Sequence, residues 1–150
     1  MKGRVAFLTI GCKVNQCESA ALARSFADAG WQVVSGQADL YVINTCTVTA
    51  EAERKCRQQI RKLAKANPQA QIVAMGCYAQ VAPEELQLPG VKFVVGTTER
   101  SDILALLEGA PPRRHVAALG QGLTFEDLGP GLAERTRATL KIEDGCEEHC

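Results

Sequence analysis

Short runs of β-branched and apolar residues alternate with stretches of helical length, and this alternation limits the possible folds most strongly. Strands that are separated by helices pair in parallel, because each connection must return to the same end of the sheet. The predicted strands are Val5–Ile10, Trp31–Val34, Leu40–Asn44, Gln71–Met75 and Val91–Val95. The predicted helices cover residues 16–29, 49–66 and 99–108, with a helical turn at 83–86. We predict an α/β fold with an open, mostly parallel five-stranded sheet flanked by helices, Rossmann- or flavodoxin-like.

Local signals mark several of these boundaries. Gly30 is placed to end the first helix, Thr49 or Thr47 to cap the second, and Asn67-Pro68 to stop it. The second strand fits less well, because only residues 35–39 separate it from the third, and a parallel crossover normally needs about a dozen residues or more. We expect this strand to be irregular, and the sequence leaves its place in the sheet open.

The chain changes character near residue 110. Residues 111–136 contain several glycines and prolines without a sustained hydrophobic period, which is typical of a linker. A strand pattern returns at 137–142. We therefore expect a first domain over residues 1–110, a linker over 111–136, and the first piece of a second, truncated domain over 137–150.

The composition is that of an ordinary globular protein, with 46% hydrophobic and 23% charged residues. Lys plus Arg and Asp plus Glu number 17 each, so net charge argues neither for nor against a nucleic-acid partner. The apolar run after Arg4 is too short for a secretory signal, and nothing approaches the roughly 20 apolar residues of a membrane span. We expect a cytosolic protein without a membrane partner.

Three of the seven cysteines follow predicted strands in the same way. Cys12, Cys46 and Cys77 each lie two residues beyond a strand's carboxyl end, where open parallel sheets bind their ligands. If the first, third and fourth strands are neighbours, the three thiols converge. Gly11 and Gly76 precede two of them and allow close approach of the backbone to a bulky group. Three thiolates without an obvious fourth ligand favour an iron–sulfur cluster with one open iron over closed structural zinc.

Other interpretations of the cysteines remain open. The three could be small buried core residues, since free Cys is among the most buried residue types. His115 and His149 lie outside the predicted sheet, so neither is a convincing fourth ligand. Cys56 belongs to an apolar helical stripe and is predicted to pack in the core. Cys17 is also predicted to pack, although its closeness to Cys12 leaves a ligand role open.

The last seven residues contain Cys146 and Cys150 in a C-x3-C spacing. This is the first part of the C-x3-C-x2-C arrangement with which radical-SAM enzymes hold a [4Fe–4S] cluster, and the third cysteine would fall at position 153. The neighbouring carboxylates oppose a free thiolate, whereas a bound metal would offset them. Ligands are therefore favoured over a nucleophile, with a disulfide as the alternative.

Four segments together resemble the tRNA methylthiotransferase family, in its order and at its spacing. They are residues 9–16 (TIGCKVNQ), 38–49 (ADLYVINTCTVT), 76–80 (GCYAQ) and 140–146 (LKIEDGC). The resemblance covers essentially the whole chain. The form of the first segment is similar to the branch that acts on N6-threonylcarbamoyladenosine at tRNA position 37. Cys17 and Thr97 depart from residues often found in the family, which bears on the branch rather than on the chemistry.

The resemblance implies an auxiliary [4Fe–4S] cluster on Cys12, Cys46 and Cys77. It also implies a radical-SAM barrel that starts near residue 137, with its [4Fe–4S] cluster on Cys146, Cys150 and a further cysteine. The substrates implied are tRNA and S-adenosyl-L-methionine, which supplies both a methyl group and a 5′-deoxyadenosyl radical. We expect the present chain to be inactive by itself. The isopentenyladenosine and ribosomal-protein branches remain alternatives, as does a metal-binding module without turnover.

Two further features of the sequence bear on its function. The predicted helix over 49–66 has six cations after Glu53, and Arg54, Arg57, Arg61 and Lys65 share one face. This face could contact tRNA phosphates, or be a solvated face whose cations suit the helix C-terminus. A flavodoxin-like scaffold with purely structural cysteines is a third hypothesis, although the loop after the first strand lacks a G-x-G-x-x-G pattern.

Overall fold

Six parallel strands form one open sheet in the computed structural model, which describes residues 2–109, 112–118, 126–131 and 142. The strands are β1 (Arg4–Thr9), β2 (Gln32–Val33), β3 (Leu40–Thr45), β4 (Gln71–Gly76), β5 (Val91–Val95) and β6 (Arg114–His115). The helices are α1 (Lys13–Asp28), α2 (Ala50–Ala66), α3 (Cys77–Val81) and α4 (Ile103–Glu108), with 3-10 turns at Pro83–Leu86 and Arg100–Asp102. The order across the sheet is β2-β1-β3-β4-β5-β6. The predicted α/β class is confirmed, and the order is that of flavodoxin-like folds with β6 added.

The sequence predicted five strands and missed β6. This strand has two residues, and it pairs with β5 through Val94 N–H to Arg113 O at 2.9 Å and Gly96 N–H to His115 O at 3.0 Å. A two-residue strand has no periodicity to detect, and it falls inside the predicted linker. The expectation that His115 lies outside the sheet was therefore wrong. Helix α3, which follows β4 directly, was missed because it is only five residues long.

Strand β2 explains how so short a connection can join two parallel strands. It has only two residues, and it pairs with the amino-terminal end of β1, Arg4 opposite Gln32 and Val5 opposite Val33. The same Val5 pairs with Leu40 on its other side. The chain therefore leaves β2 and enters β3 at the same level of the sheet, and residues 34–39 need not retrace a long strand.

Both faces of the sheet are covered, so β3 is buried along its whole length. Alternate residues of β3 belong to two cores. Tyr41 and Ile43 pack with Cys56 and Ile60 of α2 on one face. Leu40 and Val42 pack on the other face, in the core that contains Leu22 and Phe26 of α1. The period of two in β3 thus assigns the helices to opposite sides.

The helix boundaries follow the local signals. Thr49 caps α2, and its hydroxyl accepts the Ala52 N–H at 3.1 Å. The helix ends at Ala66, before Asn67-Pro68, as predicted. Gly30 follows α1 with a positive φ of 90°, the conformation that favours glycine after a helix. None of the described helices combines the length and the apolar character that a membrane span needs.

Residues 112–118 and 126–131 lie against the sheet domain. Besides β6, residues 126–131 contact α1, because a Cβ on Gly131 would stand 2.6 Å from Ala20 Cβ. Leu128 packs against the core that contains Phe26. The strand predicted at 137–142 lies almost wholly outside the described residues, so the start of a second domain stays a prediction.

Replacing Ile60 by Ala tests the α2 core. Ile60 is fully buried between α2 and the sheet, and its loss should cost about 2–5 kcal/mol of unfolding free energy through lost burial and a cavity. Urea denaturation measures this value. The matched control is Gln58→Ala at an exposed position of the same helix, which should change it by less than about 0.5 kcal/mol. Equal effects of the two changes would contradict the assignment of the buried face.

Candidate functional site

Cys12, Cys46 and Cys77 lie at the carboxyl ends of three neighbouring strands, which we call the thiol edge. Strands β1, β3 and β4 are adjacent, as the sequence argument required. Thr45 pairs with Gly76, so Cys46 and Cys77 leave their strands at the same level. Cys12 is three residues beyond Thr9, which pairs with Asn44. Strand order reverses between β1 and β3, the place where open α/β sheets bind ligands.

The two glycines before the thiols are needed for close packing. Gly76 has a φ of 101°, and a Cβ there would stand 2.4 Å from Asn44 Oδ1 and 2.6 Å from the Thr45 carbonyl oxygen. Gly11 has a φ of 139°, and its Cβ would stand 3.0 Å from Cys46 Cβ. Any other residue would push these loops apart, so the glycines are required by packing within the protein. Close approach of the backbone to a bulky group stays a prediction.

A buried pair of amides joins the loops of the thiol edge. Asn15 Nδ2 donates to Asn44 Oδ1 and to the Thr45 carbonyl oxygen, both at 3.1 Å. Asn44 Nδ2 donates back to the Asn15 carbonyl oxygen at 2.9 Å. The Cys12 thiol donates to Asn15 Oδ1 at 3.0 Å. Since both asparagines are almost fully buried, these bonds hold the Cys12 loop against the end of β3.

Thr45 plays the same part between β3, β4 and α3. Its hydroxyl donates to the Met75 carbonyl oxygen at 2.6 Å and accepts the Ala79 N–H at 3.2 Å. One side chain at the end of β3 therefore fixes the start of the helix that begins with Cys77. A buried polar side chain with these partners is stable, whereas an unpaired one would be costly.

The thiols differ in exposure and interact electrostatically. Cys12 is exposed, Cys77 half-buried and Cys46 buried, and all three are unbridged. Burial raises the pKa of the Cys77 thiol, with further increases from Glu18 and from the Cys46 and Cys12 thiols, while Arg100 lowers it. Both of the other edge thiols therefore act on the Cys77 thiol.

A bound metal ion or iron–sulfur cluster places different requirements on the side chains that hold it. Among the described residues, no three Cys, His, Asp or Glu side chains are grouped closely enough to hold a metal ion. Thiolates on one tetrahedral zinc stand roughly 4 Å apart, as follows from a Zn–S bond of about 2.3 Å. An iron–sulfur cluster presents separate irons to separate thiolates, so the donor chemistry of three adjacent free thiols fits that group.

The other cysteines and the histidines were further candidates for metal ligands, and the described ones lie in different surroundings. Cys56 is fully buried in the α2 core, where burial raises the pKa of its thiol, which confirms its packing role. Cys17 is buried as well, as predicted. His115 lies in β6, and its Nε2 is 3.1 Å from Asp102 Oδ2. Cys146, Cys150 and His149 lie outside the described residues, so their roles stay predictions.

The cationic face of α2 is partly occupied within the protein. Arg54 forms two hydrogen bonds with the Glu51 carboxylate, at 3.0 and 2.7 Å. Arg57 lies over the Tyr78 ring at 5.8 Å, and its Nη1 is 3.3 Å from Glu85 Oε2. Arg61, Lys62 and Lys65 are exposed, and none forms an ion pair with another described residue. The part of the face available to a ligand is therefore the carboxyl-terminal half of α2.

Sequence reasoning missed the polar residues that support the thiols. Asn44 and Thr45 end an otherwise apolar strand, and that change in polarity could have marked them. Glu18 and Arg100 are buried charges on α1 and after β5, and no spacing in the sequence relates them. Such a pair becomes visible only when the fold brings the two segments together.

Comparison with known proteins gives a consistent family. The family described as "Uncharacterized protein family UPF0004" matches residues 4–96, which include all of the thiol edge.

Named relatives match over nearly the whole chain. The threonylcarbamoyladenosine tRNA methylthiotransferase MtaB of Bacillus subtilis is 42% identical over 97% of this chain and 34% of its own length. The protein of the same name from Aquifex aeolicus is 41% identical over 98% of this chain and 38% of its own length. The ribosomal protein uS12 methylthiotransferase RimO of Desulfitobacterium hafniense is 29% identical over 98% of this chain and 35% of its own length. The chain thus spans about a third of the length of these curated relatives.

Replacing Gly76 by Ala tests the geometry of the thiol edge. The new Cβ would clash with Asn44 and the Thr45 backbone in a backbone conformation that favours glycine. We expect a loss of more than about 1 kcal/mol of unfolding free energy. Thermal or urea unfolding measures it. Gly36→Ala is the control, because it has open space and no positive φ, and it should be neutral within about 0.5 kcal/mol. A neutral Gly76→Ala would contradict the close contact between β3 and β4.

Proposed function

The chain belongs to the tRNA methylthiotransferase family, in its MtaB-like branch, and from this we propose that it is the amino-terminal part of a tRNA-modifying enzyme. The full-length enzyme adds a methylthio group at C2 of N6-threonylcarbamoyladenosine 37 in tRNA. The choice of branch rests on the relatives of 35–42% identity, which carry that substrate in their names, against 29% for the ribosomal-protein enzyme. A cytoplasmic location follows from tRNA as the substrate.

The observation that carries the proposal is the position of three thiols at one sheet edge. Cys12, Cys46 and Cys77 follow adjacent parallel strands at the point where strand order reverses. We propose that they hold an auxiliary [4Fe–4S] cluster. Held by these three thiolates, such a cluster would supply the sulfur chemistry of the methylthio product.

The chain's own residues then have simple roles. Asn15 and Asn44 hold the Cys12 loop against β3, and Thr45 fixes the turn that carries Cys77. The glycines before Cys12 and Cys77 keep side chains out of the space between the loops. Cys46, in the middle of the three thiols, is buried, which limits the access of water there, whereas Cys12 is exposed.

The second half of the proposal concerns the radical chemistry. Cys146 and Cys150 have the spacing of two ligands for a radical-SAM [4Fe–4S] cluster, and the third ligand would lie at position 153. S-adenosyl-L-methionine is the second substrate on this proposal. The auxiliary cluster would then serve sulfur transfer, and the radical-SAM cluster would serve radical formation.

Anaerobic reconstitution with iron and sulfide tests the auxiliary site. A chain with Cys146 and Cys150 changed to Ser should bind about four irons, and the further change of Cys12, Cys46 and Cys77 to Ala should abolish binding. Iron and acid-labile sulfide analyses measure the outcome.

The matched control for this experiment is Cys56→Ala. Cys56 is fully buried in the α2 core, and its thiol donates to the Cys46 carbonyl oxygen at 3.8 Å rather than to a sulfur. Its loss removes none of the proposed ligands, so the iron content should be unchanged. Equally low iron with and without the three edge thiols would contradict the cluster and favour cysteines that only pack. Bound zinc without sulfide would instead indicate a structural metal module.

The exposed cations of α2 are proposed to contact tRNA phosphates. Changing Arg61 and Lys65 to Gln in the full-length enzyme should weaken tRNA binding and lower the slope of log K against log salt by about 2, at roughly 1 per lost contact. Binding at several salt concentrations measures it. The control is Arg24 and Arg54 to Gln, which also removes two charges but from cations already paired with Asp28 and Glu51. Equal effects of the two variants would indicate only a general charge effect.

A further inference from the structure

The largest fully buried side chain in the described part of the chain is a charged one, that of Arg100. Its Nη2 lies 3.2 Å from Glu18 Oε1, and its Nε donates to Glu126 Oε2 at 3.0 Å. The side chains of all three residues are less than a tenth exposed. A buried charge is costly unless it is paired, and this one is held by carboxylates from two distant segments.

The two carboxylates leave Arg100 little freedom to move. Glu18 lies on α1, and Glu126 belongs to the segment that packs back on the domain. The other carboxylate oxygen of Glu126, Oε1, accepts the backbone N–H of Ser101 at 2.7 Å. Ser101 is the residue that follows Arg100 in the chain. The guanidinium is therefore fixed on both sides, and its position is determined by the fold rather than by solvent.

This buried group adjoins the thiol edge. Arg100 follows β5, the neighbour of β4, and Cys77 comes directly after β4. Glu18 Oε2 accepts from Asn44 Nδ2 at 3.4 Å, and Asn44 is bonded to Asn15, which accepts from the Cys12 thiol. Four contacts thus join Arg100 to the Cys12 thiol through Glu18, Asn44 and Asn15.

We propose that Arg100, held by Glu18 and Glu126, supplies a fixed positive charge to the thiol edge. This charge raises the reduction potential of a cluster on Cys12, Cys46 and Cys77. The inference rests on the proposed function, since it assumes a cluster on these thiols. Reduction adds negative charge to the cluster, and a nearby buried cation stabilises that form more than the oxidised one. Glu18 has the opposite effect.

Reduction potentials of reconstituted variants test the proposal. The 150-residue chain with Cys146 and Cys150 changed to Ser is titrated under EPR detection, beside Arg100→Met, Arg100→Lys and Glu18→Gln in the same background. Arg100→Met should shift the redox equilibrium about tenfold toward the oxidised form, which is about 59 mV for one electron. Arg100→Lys keeps the charge and should restore most of the wild-type potential. Glu18→Gln should shift the potential upward.

A purely structural ion pair predicts a different result. In that case Arg100→Met lowers stability, but the potential of the cluster that remains is unchanged, and this outcome overturns the inference. If Arg100→Met does not fold, Glu18→Gln decides, because glutamine keeps the size and shape of the side chain, gives up one acceptor and removes one negative charge. A raised potential then supports the inference, and an unchanged one overturns it. Absence of iron in the unmutated background overturns the auxiliary cluster itself, whereas iron with unchanged potentials overturns only the role of Arg100.

Discussion

The parallel pairing of β1, β3 and β4 is the constraint on which the rest of the structure depends. Parallel strands end at a common edge, so residues far apart in sequence meet there without any long-range loop. Cys46 and Cys77 are neighbours because Thr45 pairs with Gly76, and a slip of one residue in that register would turn every side chain of β4 to the other face. The same register keeps Ile43 and Ala74 in the α2 core. Packing of the two cores thus fixes the position of the thiols as well.

A buried polar layer stands between these cores and the thiol edge. Asn15, Asn44 and Thr45 are almost fully buried, and unpaired amides or hydroxyls at such positions would be strongly destabilising. Their donors and acceptors are satisfied mainly by each other and by strand-end carbonyls, so the layer is stable only when both loops adopt one arrangement. This requirement gives the cysteine loops a defined geometry that apolar packing alone would not provide.

Much of this could be predicted from the sequence, and the omissions have physical reasons. Strand β5 and the end of α2 at Ala66 were predicted because β-branched runs, a Thr cap and Asn67-Pro68 are local signals. The convergence of Cys12, Cys46 and Cys77 followed from strand ends and needed only the adjacency of β1, β3 and β4. Strand β6 and the Glu18–Arg100–Glu126 contacts were not predictable, since a two-residue strand has no period and buried ion pairs depend on tertiary packing. Arg57 was assigned to a free cationic face because the sequence could not reveal Tyr78 and Glu85 beside it.

The cysteines of this chain show that position, and not residue type, determines their chemistry. Cys56 lies on α2 and is fully buried among the apolar side chains of the α2 core. Cys46 is also buried, but it lies at a strand end, where its sulfur accepts the Val48 N–H at 3.5 Å. Cys46, which follows the central strand of the three, is the most buried of the edge thiols, and Cys12 is the most exposed. An inorganic group held there would be covered at Cys46 and open to solvent at Cys12, so the Cys12 loop is the part of the thiol edge that a substrate could approach.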